Sequence, residues 1–410
     1  MTQPNAHARK RFLLSALRLK CRLGNIVSRM GNRYKTVYVW ERIPFYRQMW
    51  ETAAAEVSAQ FIELAEGIWE IRLGSSRTYI HIHQVQLDDA VISSFSGNKP
   101  YCYDVLSRAH LPVPDHVVFG IDDPDEAVRF MKRKNGLIVV KPALDTGSGM
   151  GVTTHVRSVH ECRSAIALAS LYGAKIIAED LKPGECYRLL VLNGKMIHAV
   201  RRRGVRVRGD GRSTLAQLIA GENRQRREGR THDARPVIIW NRDLAATLLA
   251  QGLTGDFIPP CGRETLVQSY ALPDDKHVEV RTVYNEVVTD LICRELRESV
   301  ERAALLIHSK FAGVDVITLD PSVPLERNSG VINEINTNPG LHHHFTRSTR
   351  DTYDRADDIG PALRVLEQLL GIARSVDYVR NAAVGALPEN GDSLMRIRQG
   401  GVHYEWLNPY

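Results

Sequence analysis

Three groups of residues in this chain have types and spacings that could do chemistry. The first is Lys141 followed by Asp145-Thr146-Gly147-Ser148-Gly149-Met150-Gly151-Val152. Glycines at alternate positions leave backbone N–H groups free to converge on an anion, because no Cβ blocks the approach and a positive φ costs little. Lys141 ends the apolar run Leu137 to Val140 that feeds this loop, so its ammonium can reach the same anion. A glycine-rich turn can be no more than a turn; the lysine is what makes this one a phosphate candidate. There is no GxxxxGK(S/T) motif, and the glycines lead into a strand pattern rather than a helix. A P-loop and a dinucleotide-binding turn are thereby excluded, and a hairpin covering phosphate remains.

The second group lies nearer the other end. Phe311 to Ile317 sets Asp315 in an apolar strand pattern, and Val331 to Asn336 sets Glu334 and Asn336 two residues apart. Period-two geometry puts that pair on one face, while Val331 and Ile335 on the other serve the packing. Buried carboxylates without a cation are costly, so Asp315, Glu334 and the amide oxygen of Asn336 read as hard-oxygen ligands for Mg²⁺. The alternative is acids facing solvent on edge strands. The third group is Arg201-Arg202-Arg203, on the return strand of a hairpin whose turn is Asn193-Gly194. Alternation sets Arg201 and Arg203 on one face and Arg202 on the other, and at least one is expected to meet a phosphate. The run His342-His343-His344 cannot easily ligate one ion, since consecutive side chains diverge. A wall of a substrate pocket and a loop without a role both stay open for it.

The elements that must hold these groups follow from local pattern. Helical spacing covers Phe45 to Glu66, and alternation marks strands at Ile68 to Leu73 and Thr78 to His83 around a Gly74-Ser75-Ser76 turn. Asp123-Pro124-Asp125-Glu126 predicts an N-cap and a helix that stops at Asn135-Gly136. Strands at 137 to 140 and 152 to 156 flank the glycine loop; Ser158 with Glu161 caps a helix closing at Gly173, and a strand follows at 174 to 178. The hairpin strands run from Tyr187 to Leu192 and from Lys195 to Arg203, and a late helix spans Pro361 to Ile372.

Composition bounds the rest. With 410 residues, 43% hydrophobic and 25% charged, the chain is long enough for two to three domains with real cores. Every apolar run is broken well short of the ~18 residues of a membrane-spanning helix. Six cysteines without a close pair fit neither a disulfide framework nor a structural zinc site, and no secretory leader pattern opens the chain, so a cytoplasmic location is expected. The net charge of +7 belongs to residues 1 to 40, which hold nine Lys or Arg and no acid. Leu13, Leu14, Leu17 and Leu19 give this arm an amphipathic pattern that could dock on its own protein or across a homodimer, meet an acidic partner or a membrane surface, or serve as a transit peptide. No nucleic-acid-binding module is present, and nucleic acid is not an expected partner.

Taken in order, Gly97-Asn98-Lys99, Val139-Val140-Lys141-Pro142, the loop 145 to 152, Glu179, Gly209-Asp210-Gly211-Arg212-Ser213-Thr214, Gly313-Val314-Asp315 and Glu334-Ile335-Asn336-Thr337-Asn338-Pro339-Gly340 resemble the ATP-grasp superfamily. Residues 98 to 345 are most similar to the ATP-grasp half of the cyanophycin synthetases, and more distantly to D-alanine–D-alanine ligases and glutathione-forming ligases. The resemblance implies an α/β protein (α+β lobes) of the ATP-grasp fold, in which two lobes clasp ATP behind a small α/β N-terminal domain. The expected division is an arm at 1 to 40, the small domain at 41 to 115, a lid lobe at 116 to 180, a catalytic lobe at 181 to 345, and a helix and tail at 346 to 410. Lys99 and Lys141 match the family's phosphate lysines, and Gly147, Ser148, Gly149 and Gly151 its loop over the phosphates. Glu179, Asp180 and Leu181 match the segment that reads adenine, and Arg188 with Arg201 and Arg203 the positions facing triphosphate or acyl phosphate. Asp315, Glu334 and Asn336 match its Mg²⁺ ligands.

The implied reaction is ATP-dependent carboxylate–amine ligation of amino acids or peptides through an acyl phosphate, with ADP and phosphate released. An ATP-grasp kinase acting on a hydroxyl and an inactive ATP-binding regulatory protein remain alternatives. Three departures stand out. Cys186 occupies the place of the acid that usually holds the ribose hydroxyls, with Glu185 or Asp180 as substitutes. The segment Gln268 to Asp290 lacks the expected glycine pair and Asp-Val-Thr run, so a different acceptor pocket is expected. The P-loop-bearing second half of the cyanophycin synthetases has no counterpart in these residues, so two-step polymerisation by one polypeptide is not expected.

Overall fold

The fold comes from a computed structural model that describes residues 42–134, 137–146, 151–228, 242–268, 284–344 and 359–372, with Ser15, Ala16, Leu19, Ile238 and Trp240. The rest of the basic arm, the Asn135-Gly136 helix stop, loop residues 147–150 and the tail beyond 372 lie outside the described residues.

Helix α1 (Ile43–Glu56) buries Tyr46, Met49, Trp50, Ala53 and Ala54, a 3–4 spacing that lines one face. It ends ten residues before the point its apolar pattern predicts. Ser58 takes a φ of 55°, and the alternating residues that follow form β1 (Gln60–Ala65) against β2 (Ile68–Leu73). β2 and β3 (Ser76–His81) make the expected hairpin, completing an antiparallel three-stranded sheet. Helices α2 (Ala90–Gly97) and α3 (Lys99–Arg108) meet at Asn98, whose side chain accepts from the Tyr101 N–H and so caps α3. Lys99 and Tyr103, four apart on α3, share one face of that helix.

Next come β4 (His116–Gly120), α4 (Pro124–Arg133), β5 (Ile138–Pro142), β6 (Thr153–Val156), α5 (Val159–Ala169) and β7 (Lys175–Asp180). Their sheet has the order β4-β7-β5-β6, antiparallel throughout. One face packs on α4 and α5 through Ile138, Val140, Ile176 and Ala178. The other carries Lys141, Ile177 and Glu179 toward Tyr103. The capping box of Ser158 and Glu161 forms as predicted. Asp123 does not cap α4: its carboxylate lies 3.5 Å from Arg129 instead.

The remaining elements are β8 (Glu185–Leu192), β9 (Lys195–Arg203), β10 (Val205–Arg208), α6 (Leu215–Glu228), α7 (Arg242–Ala250), β11 (Glu264–Gln268), β12 (Tyr284–Val287), α8 (Arg294–Leu306), β13 (Phe311–Thr318), β14 (Val331–Thr337) and α9 (Gly360–Leu370). β10 and β11 pair and, with α6 and α7, enclose a small core of their own. The antiparallel sheet β12-β9-β8-β13-β14 is the centre of the described chain. Tyr187, Leu189, Val191, Val314 and Val316 cover one face against α8. On the other, Leu190, Leu192 and Phe311 join the core formed by α1, β2 and α9, and the polar residues beside them form the candidate site.

The β8–β9 turn is the two-residue kind its sequence predicts, with Asn193 and Gly194 at φ 46° and 72°. A bulge follows: Val191 pairs with Met196, but Leu190 pairs with His198, leaving Ile197 extra. Counted strictly from the turn, Arg188 would stand opposite Ala199; it stands opposite Val200. One inserted residue turns every later side chain of β9 to the other face.

Candidate active site

Lys141 leaves β5 on the face away from α4 and α5, and its Nζ lies 2.8 Å from Glu179 Oε1 on β7, with side chains 6% and 2% exposed. The Tyr103 hydroxyl lies 3.0 Å from the same Glu179 oxygen and 2.6 Å from the carbonyl oxygen of Asn333 on β14. Lys141 also donates to that hydroxyl at 3.4 Å. Burial, then the adjacent Glu179, push the Tyr103 phenol well above its ordinary pKa, so it stays protonated. A short polar chain therefore runs from the lysine of the four-stranded sheet to the residue next to Glu334 in the five-stranded sheet. Lys99, at the start of α3, stands at the same seam: its Nζ donates to the Thr146 carbonyl at 3.1 Å and lies 3.7 Å from Glu334.

Register on the five-stranded sheet gathers the other charged groups. Arg188 and Glu334 both stand opposite Asp315, and Asn336 stands opposite Gly313. Arg188 donates twice to Asp315, from Nε to Oδ1 and from Nη2 to Oδ2, each at 2.7 Å. Gly313 makes this possible: a Cβ there would lie 2.9 Å from Pro339 and 3.4 Å from Arg188 Cδ. Burial opposes the Arg188 charge, yet the Asp315 carboxylate and its hydrogen bonds hold the guanidinium pKa above the usual arginine value. Arg202 Nη1 reaches the same carboxylate at 3.4 Å, and the Asn336 amide nitrogen lies 3.5 Å from it.

The arginine expected on this face is thus replaced by its neighbour. Arg201 points to the opposite face, where Nη1 lies 2.9 Å from Glu185 and Nε 3.0 Å from Glu286. The bulge at Ile197 is the cause, and the signal for it was absent from the strict alternation that favoured Arg201 and Arg203. The Arg203 side chain lies outside the described residues. Tyr103 was missed as well, although its spacing of four from Lys99 marks it. Glu179 commits its carboxylate to Lys141; Asp180, of the other parity, pairs with Lys182 at 2.8 Å, and the Leu181 N–H bonds the Leu137 carbonyl at 3.3 Å. Cys186 is half-buried on the Arg188 side of β8 and forms no disulfide among the described residues. Gly147, Ser148 and Gly149 lie outside the described residues; Gly151 takes a φ of 71°, with Pro142 and Tyr172 where a Cβ would be.

The donor set bears on Mg²⁺ directly. Among the described residues no group of three or more His, Cys, Asp or Glu side chains gathers as a metal site. Asp315 is fully enclosed and shared between two arginines, whereas Glu334 and Asn336 are only partly buried. One carboxylate and one amide beside the buried lysines Lys99 and Lys141 fit an ion that takes most of its ligands from a polyphosphate and water. The histidine turn Leu341–His344 is buried rather than exposed. His342 Nδ1 lies 2.6 Å from the Tyr46 hydroxyl, and His344 Nδ1 lies 2.9 Å from His198 Nδ1 on β9.

No protein-family model matches the chain. It is 32% identical over 286 residues to cyanophycin synthetase from Synechocystis sp., covering 65% of this chain and 31% of that protein. It is 29% identical over 265 residues to the glutathione biosynthesis bifunctional protein GshAB of Streptococcus mutans, covering 63% and 34%. Among solved structures, a bifunctional glutathione synthetase from Pasteurella multocida superposes with a TM-score of 0.55 at 20% identity, over 81% of this chain and 44% of that one. The chain spans about a third of the length of the curated relatives it matches.

Proposed function

We propose that this chain, whose fold is that of the ATP-grasp ligases, uses ATP to join a carboxylate to an amine, forming an amide or peptide bond between amino acids or peptides. The supporting observation is the seam at which Lys141, Glu179, Tyr103, Lys99 and Glu334 meet. In the first step a substrate carboxylate oxygen attacks the γ-phosphorus in line, the bond from that phosphorus to ADP breaks, and an acyl phosphate forms. An amine then attacks the acyl carbon, phosphate leaves with the bonding pair, and the amine nitrogen loses a proton. Lys141, Lys99 and the loop 147 to 151 hold the phosphates, and Arg188 steadies charge on the acyl phosphate. Glu334 and Asn336, with Asp315 behind them, would hold a Mg²⁺, which when bound would neutralise phosphate charge. Positioning and charge neutralisation supply most of the acceleration in such transfers. Glu179 serves Lys141 with its side chain, so adenine is left to the main chain of 179 to 181.

Residues 116 to 180 are read as the lid lobe, 181 to 345 as the catalytic lobe and 41 to 115 as a small N-terminal domain, with the basic residues 1 to 40 serving an acidic partner or a homodimer. Cys102, Cys162, Cys186, Cys261 and Cys293 form no disulfide among the described residues, which suits a cytoplasmic location. No helix among the described residues is long and apolar enough to cross a membrane.

Incubation with ATP, Mg²⁺, pooled amino acids and hydroxylamine should give hydroxamate and ADP. AMP in place of ADP would eliminate the acyl-phosphate route, and a stable phosphorylated product without free phosphate would make the chain a kinase. Lys141→Ala and Glu334→Gln are each expected to abolish turnover in a folded protein.

A further inference from the structure

Toward β12, the same sheet face holds a second group of buried polar side chains, joined to that site through the contact of Arg202 with Asp315. Arg202 and Asn285 stand directly opposite each other on β9 and β12, so they share a face, and they are only 4% and 6% exposed. Among the described residues the Arg202 Nε–H and both amide atoms of Asn285 meet no hydrogen-bond partner. The histidine turn packs on β9 and β12. Its place on this face is fixed by the contact of His344 with His198, which has the same parity on β9 as Arg202. His343 Nδ1 and His344 Nε2 are likewise buried without a partner among the described residues.

Buried polar atoms are nearly always satisfied, so five orphans on four neighbouring residues mark a place made to receive something. The charge balance selects what. Arg188 and Arg202 both bond the Asp315 carboxylate, and the next acid on this face, Glu334, is shared between Arg188 and Lys99, so three cations stand against two carboxylates. The excess is positive, which favours an anionic group. Burial, followed by neighbouring histidines and these two arginines, holds His343 and His344 well below the ordinary histidine range. Uncharged imidazoles accept hydrogen bonds as well as donate them. A bare anion would match the Arg202 and Asn285 N–H groups but leave the Asn285 oxygen unmatched.

We infer that this cluster receives the α-amino-acid head group of a substrate, with its carboxylate on the Arg202 Nε–H and the Asn285 amide N–H and its amino group on Asn285 Oδ1 and a histidine ring nitrogen. The inference rests on the ligase reading and names the end of the substrate that the site recognises.

The full chain, with Mg²⁺ and the non-hydrolysable AMPPNP, is probed by calorimetry with each of the twenty common L-amino acids, and with the α-amide and N-acetyl forms of any that binds. At least one amino acid should bind, and each of its two derivatives should bind roughly tenfold more weakly or worse. Asn285→Asp sets a carboxylate of the chain's own beside Arg202; it should abolish amino-acid binding and leave AMPPNP affinity unchanged. Asn285→Ala, the second variant should the first not fold, should weaken the amino acid by roughly tenfold or more. Equal binding of acid and amide, or wild-type affinity in the Asn285 variants, overturns the inference. Failure of all twenty to bind while AMPPNP binds also overturns it and leaves the ligase reading standing. Failure of AMPPNP itself to bind overturns both.

Discussion

On the proposed function Lys141 has two roles, partner of Glu179 and ligand of a phosphate, and a pair of substitutions can separate them. Its ammonium lies 2.8 Å from Glu179, both side chains almost fully enclosed. Lys141→Met removes the cation and strands a buried carboxylate, while Glu179→Leu strands the ammonium; breaking a buried pair from one side costs about 3–5 kcal/mol. Replacing both groups with apolar side chains of similar volume is often neutral or stabilising, so the two substitutions should couple by about 3 kcal/mol or more. Urea midpoints of the four proteins measure that coupling. Turnover should behave differently. As a phosphate ligand, Lys141 is worth at least about a hundredfold in hydroxamate formation, and the double variant should stay as inactive as Lys141→Met although its stability returns. A double variant that regains turnover along with stability would reduce Lys141 to packing. One as unstable as the sum of the single changes would mean that the pair is not coupled at all.

Gly313→Ala should cost about 1–3 kcal/mol by overpacking against Pro339 and displace Arg188, lowering kcat while AMPPNP affinity holds; thermal melts and steady-state rates check it, and an unchanged kcat would detach the Arg188 position from turnover. Burial, and then Arg364, lower His198 from 6.5 to about 4. Between those values the unfolded chain binds the proton first, so the stabilisation is complete above pH ~6.5 and is lost as pH falls toward 4, on the order of 3 kcal/mol at most. His198→Gln should therefore flatten the fall of the urea midpoint over that range, and an unaltered slope would refute the assignment.

Some of the site can be read from sequence because short-range geometry decides it. Glu334 and Asn336 share a face since the bulge of β14, at Asn333, precedes them both, and Lys141 reaches the seam because β5 continues through it with Ile138 and Val140 on the other face. Arg202 could not be chosen over Arg201, since the choice hangs on one extra residue at Ile197, and the turn residues that set the hairpin register carry no record of it. The strand at Gln60–Ala65 was hidden for a related reason: its Phe61 and Leu64 also fit the helical period of the preceding segment, and only pairing with β2 decides between them. The partnership of Lys141 with Glu179 joins strands 38 residues apart, and Tyr103 enters from a helix that neither strand neighbours in sequence.

A phenol has a single hydrogen to give, and Tyr103 is claimed by two acceptors, Glu179 Oε1 and the Asn333 carbonyl. At any instant one claim goes unmet, so the four- and five-stranded sheets are tied at this point by an alternation rather than by two simultaneous bonds. Parting them surrenders one bond, not a pair, so on the proposed function this seam is an inexpensive place for the two sheets to separate around a nucleotide.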